Sequence, residues 1–168
     1  MLRILLQEIY EVQDCKYYNA TEQSYTSTYS SGDHSIVMTD TPTVDLPTNC
    51  EITFKIKTTI NGSRFGLFHT ISSTTCNYGF GESNDSTQIG AFYRTSSTSG
   101  WGSNTTNPSN YHEFKFVKTG TTVEAFVDGV SKGTQTFSWI DDYSDYKFAW
   151  WVWRTGTIYA KDILIKAL

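Results

Sequence analysis

From about residue 35 onward the chain alternates apolar and polar positions with a period of two. Ile52, Phe54 and Ile56 alternate with Thr53, Lys55 and Lys57, and Phe114 and Phe116 with Glu113 and Lys115. Val123, Ala125 and Val127 alternate with Glu124 and Phe126, and Ile163 and Ile165 with Leu164 and Lys166. A strand sends successive side chains to opposite faces, so each run predicts a half-buried β-strand. Between the runs lie Asn61-Gly62, Thr119-Gly120, Asp128-Gly129 and Thr155-Gly156, pairs suited to tight turns. Many short strands punctuated in this way predict an all-β sandwich or barrel and argue against an α/β fold.

The start of the chain follows another period. Leu2, Leu5, Ile9 and Val12 fall on the 3-4-3 spacing of an a/d seam, with Glu8 and Glu11 at polar positions around it. Two heptads are fewer than a sustained coiled coil needs. The segment therefore reads as a short amphipathic helix, as a strand, or as the end of a stalk through which the chain forms a homo-oligomer, for instance a trimer. The expected organisation is an N-terminal segment over 1–33 (helix or extension, then linker) and a β-sandwich domain over 34–168. Within that domain, Thr95 to Asn110 holds almost no apolar side chain except Trp101 and predicts a long polar loop, a feature often tied to function.

Composition sharpens this picture. Aromatic residues make up 15% of the 168 residues and charged residues only 18%, so the chain can bury a real core and is not expected to be disordered. The net charge is −4, and the 13 Lys and Arg are scattered; without clustered cations, nucleic acid is a poor partner. No run approaches the roughly 18 apolar residues of a membrane span, and Met1 to Leu6 is too short for a signal-peptide core. Cys15, Cys50 and Cys76 have no CxxC or His partner spacing. They read as buried thiols, with one disulfide plus a spare thiol left open. Sequons at Asn19, Asn61, Asn84 and Asn104 arise easily in so Ser/Thr-rich a chain.

The stretch from Tyr111 to Thr136 is the most informative. Tyr111-His112 opens a predicted strand, Gly120 lies in the following turn, and Phe126-Val127-Asp128-Gly129 ends the return strand. This order resembles the hairpin of concanavalin A-like lectin and laminin-G-like domains. The residues from Thr157 to Leu168 resemble the closing strand of that family: Ile158 and Ala160 precede Lys161-Asp162, and Ile163 and Ile165 follow, a parity shift that a β-bulge produces. Residues 51–71 are similar to the early strand pair. The resemblance covers most of 35–168 and implies a jelly-roll β-sandwich of two antiparallel sheets, one of them concave.

That fold also hosts glycoside hydrolases, which need two placed carboxylates; in its retaining members the resemblance implies a Glu-x-Asp-x-x-Glu strand. No Glu-x-Asp occurs here, and Glu51, Glu82, Glu113 and Glu124 read as isolated solvent-facing positions. Gly129-Val130-Ser131-Lys132-Gly133 matches a nucleophile elbow by letter, but it leaves a hairpin and no histidine follows it. No catalytic residue, cofactor or metal is therefore assigned. Asp141, Asp142 and Asp145 form an acidic cluster, read either as a solvated turn or as a Ca²⁺ loop.

The aromatics remain. Phe148, Trp150 and Val152 share one parity, while Ala149, Trp151 and Trp153 share the other; only one set can fill an intersheet core. The surplus predicts a sugar-stacking platform of Tyr93, Trp101, Phe126, Trp151 and Trp153, with Arg94, Asn104 and Arg154 as polar anchors. The competing reading is that these rings are covered by the loop, the N-terminal segment or a neighbouring subunit. The expected function is a non-enzymatic, lectin-like glycan-binding module for adhesion or host recognition, extracellular or on a virion surface as a fibre tip. A purely structural oligomerising head, and a hydrolase or lyase of the same fold, are the alternatives.

Overall fold

Each alternating run forms a strand. The computed structural model describes residues 23–27, 34–37, 43–59, 62–72, 75–84, 88–95, 97–101, 105–106, 108–152 and 154–168. Their strands are β1 (Gln23–Ser27), β2 (His34–Val37), β3 (Asn49–Thr58), β4 (Ser63–Ile71), β5 (Cys76–Asn84), β6 (Gln88–Arg94), β7 (Thr98–Gly100), β8 (Thr105–Thr106), β9 (His112–Thr119), β10 (Thr122–Val127), β11 (Val130–Thr136), β12 (Lys147–Val152) and β13 (Gly156–Ala167). A six-stranded sheet has the order β1-β13-β3-β9-β10-β11, and a seven-stranded sheet the order β2-β12-β4-β5-β6-β7 with β8 paired to β6. All pairings are antiparallel. The protein is a jelly-roll β-sandwich.

No helix occurs among the described residues, and no described helix is long and apolar enough to cross a membrane. The N-terminal seam of Leu2, Leu5, Ile9 and Val12 lies outside the described residues, as does Cys15. β1 falls inside the segment expected to precede the domain, yet it pairs with β13 and so belongs to the sandwich.

The intersheet core follows from the alternation. Ile52, Phe54, Ile56, Phe114, Phe116, Val123, Ala125, Val127, Ile158, Ala160, Ile163 and Ile165 face inward from the six-stranded sheet. Phe65, Leu67, Phe80, Ile89, Ala91, Phe148, Trp150 and Val152 meet them from the other sheet. Phe54 stacks on Phe114 (5.7 Å between centroids) and meets Phe65 edge-on at 5.1 Å, the offset and T-shaped arrangements that ring quadrupoles favour. Burying side chains of this size stabilises the fold by about 1.5–3 kcal/mol each. The parity left open along 148–152 is thereby decided: Phe148, Trp150 and Val152 enter the core, whereas Ala149 and Trp151 face the opposite side.

The hairpin motif is one physical device. Val127 pairs with Val130, so β10 and β11 are joined by Asp128-Gly129 alone, both with positive φ (51° and 77°), as a type I′ turn requires. The Asp128 carboxylate also reaches the neighbouring strand, where its Oδ2 lies 2.7 Å from His112 Nδ1 and its Oδ1 accepts the Glu113 backbone N–H at 2.9 Å. The parity shift in β13 is a bulge: Lys161 pairs with Lys55 but Leu164 with Thr53, and Asp162 bonds Lys55 at 2.9 Å.

Two expectations change, and the reading of Cys50 and Cys76 as buried thiols is borne out. The stretch from Thr95 to Asn110 is not only loop, because β7 and β8 both add to β6; strands of two or three residues are too short to show a period. Cys50 is buried in the intersheet core and Cys76 on the far face of the other sheet, so the two do not bond each other. Burial pushes the Cys50 thiol up to about 12. Glu82, expected at the surface, is fully buried: its neighbours in phase, Phe80 and Asn84, are buried too.

Glu82 Oε2 accepts the Phe65 backbone N–H at 3.1 Å, and Oε1 has no hydrogen-bond partner. Desolvation raises its pKa well above the usual 4.5, outweighing the opposing effects of the Phe65 hydrogen bond and Arg64. The folded chain thus keeps a proton that the unfolded chain releases near 4.5, so stability is highest below that pH and falls as pH rises toward the raised folded value. Thermal melts at stepped pH should show wild-type Tm declining from pH 5 to 9, with a clearly shallower slope in Glu82→Gln. Equal slopes would show that Glu82 does not hold this proton.

Candidate functional site

Strand register builds the outer face of the seven-stranded sheet from three rows. The middle row runs Ala149, Gly66, Gly81, Phe92, Gly100. On one side lie Trp151, Arg64, Ser83 and Gly90; on the other, Lys147, Phe68, Gly79, Arg94 and Thr98. Thr70 and Asn77 pair beyond the second side row. Glycine is required where β4 and β5 meet. A Cβ on Gly81 would lie 2.1 Å from the Phe65 carbonyl oxygen and 2.5 Å from Gly66 Cα; one on Gly66 would lie 2.4 Å from the Phe80 carbonyl oxygen.

The glycine stretch of the middle row has an occupant. Trp151 and Arg94 start three strands apart, on rows either side of it, a separation of roughly 14 Å across the sheet at about 4.8 Å per strand. Arg94 Cζ nevertheless lies 4.2 Å from the Trp151 ring centroid, which brings the two side chains together over the glycines. Arg64 Cζ lies 4.3 Å from the same ring and 5.3 Å from that of Phe92. Each guanidinium is held in plane by its Nε: Arg94 donates to Asn77 Oδ1 at 2.7 Å, and Arg64 to Ser83 Oγ at 3.2 Å. Trp151, Phe68, Phe92, Cys76 and Ala149 form a second apolar cluster with Ile71 packed against it, and Trp151 is only 3% exposed. The face is an apolar bed carrying two oriented guanidinium groups.

Of the residues singled out by sequence, the structure brings together Trp151 and Arg94. Tyr93 points to the opposite side of β6 and packs on Trp101 (5.2 Å) and Phe137 (5.1 Å). Trp101 is 1% exposed and lies in the intersheet core, where its backbone N–H donates to Ala91 O at 3.0 Å and continues the β6–β7 pairing. Phe126 sits on the outer face of the six-stranded sheet under Lys115 Nζ, 4.7 Å from its centroid. Arg154 is exposed just after β12, and Trp153 and Asn104 lie outside the described residues. Arg64, Asn77, Ser83 and Phe92 escaped the sequence reading. The Gly-x-Gly of residues 79–81 and the Arg-x-Gly of residues 64–66 signalled them, but only register sets these against Trp151.

The acidic cluster is occupied in part. Lys118, in phase with Phe114 and Phe116, is fully buried and donates to Asp141 Oδ1 at 2.7 Å and Thr48 O at 3.1 Å. The Asp145 backbone N–H donates to Asp45 Oδ1 at 3.0 Å. Among the described residues no three His, Cys, Asp or Glu side chains gather to hold a metal ion. Ser131, from the elbow-like motif, donates to Glu124 Oε1 at 2.6 Å on the six-stranded sheet.

Solved structures share this architecture. A carbohydrate-binding module from Bacillus subtilis aligns with a TM-score of 0.55 at 12% identity, covering 88% of this chain and 92% of its own. A conserved carbohydrate esterase from the Shiga toxin-encoding bacteriophage phi24B aligns with a TM-score of 0.60 at 12% identity, covering 92% and 84%. A family 7 alginate lyase aligns at 0.53 and 9% identity, covering 88% and 79%. These likenesses show the fold. No protein-family model matches the chain, and no curated protein matches it by sequence.

The glycine contact is open to a direct check. Gly81→Ala should destabilise the protein by about 3 kcal/mol or more in urea unfolding, since the added methyl meets backbone that has no rotamer to yield. A loss under about 1 kcal/mol, within the range of ordinary surface changes, would mean that β4 and β5 are not in this close contact.

Proposed function

We propose that the protein is a non-enzymatic glycan-binding module and that the outer face of the seven-stranded sheet is its binding surface. The observation that carries this reading is the pair of guanidinium groups stacked on Trp151 and fixed by Asn77 and Ser83. A sugar presents a ring of hydroxyls, and a site for it needs a few oriented polar groups; the rings beneath are buried and serve to hold those groups in place. Donors already held in place lose little entropy on binding. The neighbours that are a carbohydrate-binding module and carbohydrate-acting enzymes support a saccharide as the ligand.

The same reading assigns no catalysis. No Asp or Glu occupies a described strand position of this face, so the carboxylate pair of a glycosidase is not provided there. Its setting is adhesion or recognition at a cell surface, with the protein extracellular or at a virion fibre tip.

Glycan-array screening followed by titration of the best oligosaccharide tests the assignment. Arg94→Ala should weaken binding at least ~10-fold, the loss expected for one charge-assisted hydrogen bond, while its circular dichroism spectrum stays that of the folded wild type. Phe126→Ala, on the other sheet, should bind as wild type. Absence of binding to any glycan by the wild type, or full affinity in Arg94→Ala, would overturn the proposal.

A further inference from the structure

The chain carries a net charge of −4, yet the face just described has the opposite sign. Its described strand positions hold Arg64, Arg94 and Lys147 and no carboxylate. Both guanidinium carbons lie over one indole, at 4.2 and 4.3 Å from its centroid, so the two charges stand no farther apart than about a Debye length, roughly 8 Å at physiological salt. Two cationic groups held so close make a locally positive spot that favours an anion. A planar guanidinium whose plane is fixed presents paired N–H donors that match a carboxylate or sulfate two-to-two, a match that a lone hydroxyl does not offer.

We propose that the saccharide taken by this face is anionic, its carboxylate or sulfate groups received by the guanidinium pair of Arg64 and Arg94. This rests on the glycan-binding reading above and narrows it to a chemical class. Lys147, at the end of the Phe68 row, widens the positive field along which a chain of repeating charge would lie.

The test compares matched ligands by calorimetric titration against the full chain at low salt. The probes are a uronic acid tetrasaccharide, the same tetrasaccharide with its carboxyl groups reduced to alcohols, and a sulfated neutral oligosaccharide beside its unsulfated parent. The uronate and sulfate arms identify which anion is taken. At least one charged member should bind at least ~10-fold more tightly than its uncharged partner, with affinity falling as salt rises. Arg64→Gln and Arg94→Gln should each remove most of that difference. Arg94→Lys keeps the charge but loses the fork, and should retain the salt dependence while losing at least ~10-fold in affinity. Equal binding of charged and uncharged partners would overturn the inference and leave the glycan-binding reading standing. Failure of every saccharide in these titrations and on the array would remove both. Preferential binding of a single-stranded oligonucleotide of equal charge would overturn the saccharide assignment.

Discussion

The close approach of β4 to β5 is the constraint on which the candidate site depends. Gly66 and Gly81 pair directly across it, and each leaves no room for even a methyl group against the backbone of the other strand. Removing the side chains from the middle of a sheet face creates a trough one row wide. Apolar and cationic groups from the flanking rows then lean into it, because a bare peptide surface beside an indole is better covered than left wet. Trp151 fills the trough from β12, Arg94 reaches back from β6, and Arg64 joins them from between. Cation–π contacts of this kind contribute about 0.5–2 kcal/mol each. Their larger consequence is positional, since they hold two long, entropically costly side chains in one place.

The other face of the same sheet answers to a different demand. It must fill the space between two sheets at crystal-like density, and it does so with rings: Phe65 and Phe148 stack at 5.6 Å, while Phe80 and Trp101 pack on Phe116 from the opposite sheet. Where a polar group enters this layer it brings a partner, as Lys118 does with Asp141 and Thr48. Among the described residues Trp101 Nε1 and Glu82 Oε1 are exceptions in this layer, each without a hydrogen-bond partner. Glu82, held by one backbone N–H, has its pKa raised by burial, the direction expected for an isolated buried carboxyl. It lies on the strand that supplies Gly79, Gly81 and Ser83 to the opposite face, so the proton it holds and the trough above it belong to one element.

The jelly-roll neighbours include a binding module, an esterase and a lyase, which is what a fold that tolerates many surface chemistries should show. Function is decided by the site and not by the sandwich. Here the site's chemistry is that of oriented cationic donors on an apolar bed. The acids on strand exteriors, such as Glu51, Glu113 and Glu124, lie on the six-stranded sheet away from it.

Local sequence determined the strands of the core, the type I′ turn at Asp128-Gly129 and the bulge at Lys161-Asp162, because side-chain alternation and positive φ are properties of a few consecutive residues. It also determined that the aromatics of β12 divide by parity. Which parity entered the core was decided only when β4 paired with β12 and placed Arg64 and Gly66 opposite Trp151 and Ala149. Trp101 and Phe126 show the same limit from the other side. One was drawn into the core by a three-residue strand without a readable period, and the other was alternate to core positions but on the wrong sheet for the Trp151 face. Arg64, Asn77, Ser83 and Arg94 converge from three strands. A convergence of that kind is a matter of register between distant segments, and one-dimensional periodicity carries no information about register. The sequence alone determined two apolar faces and a surplus of rings; the tertiary structure decided where the surplus lies, because only strand pairing puts residues far apart in the chain side by side.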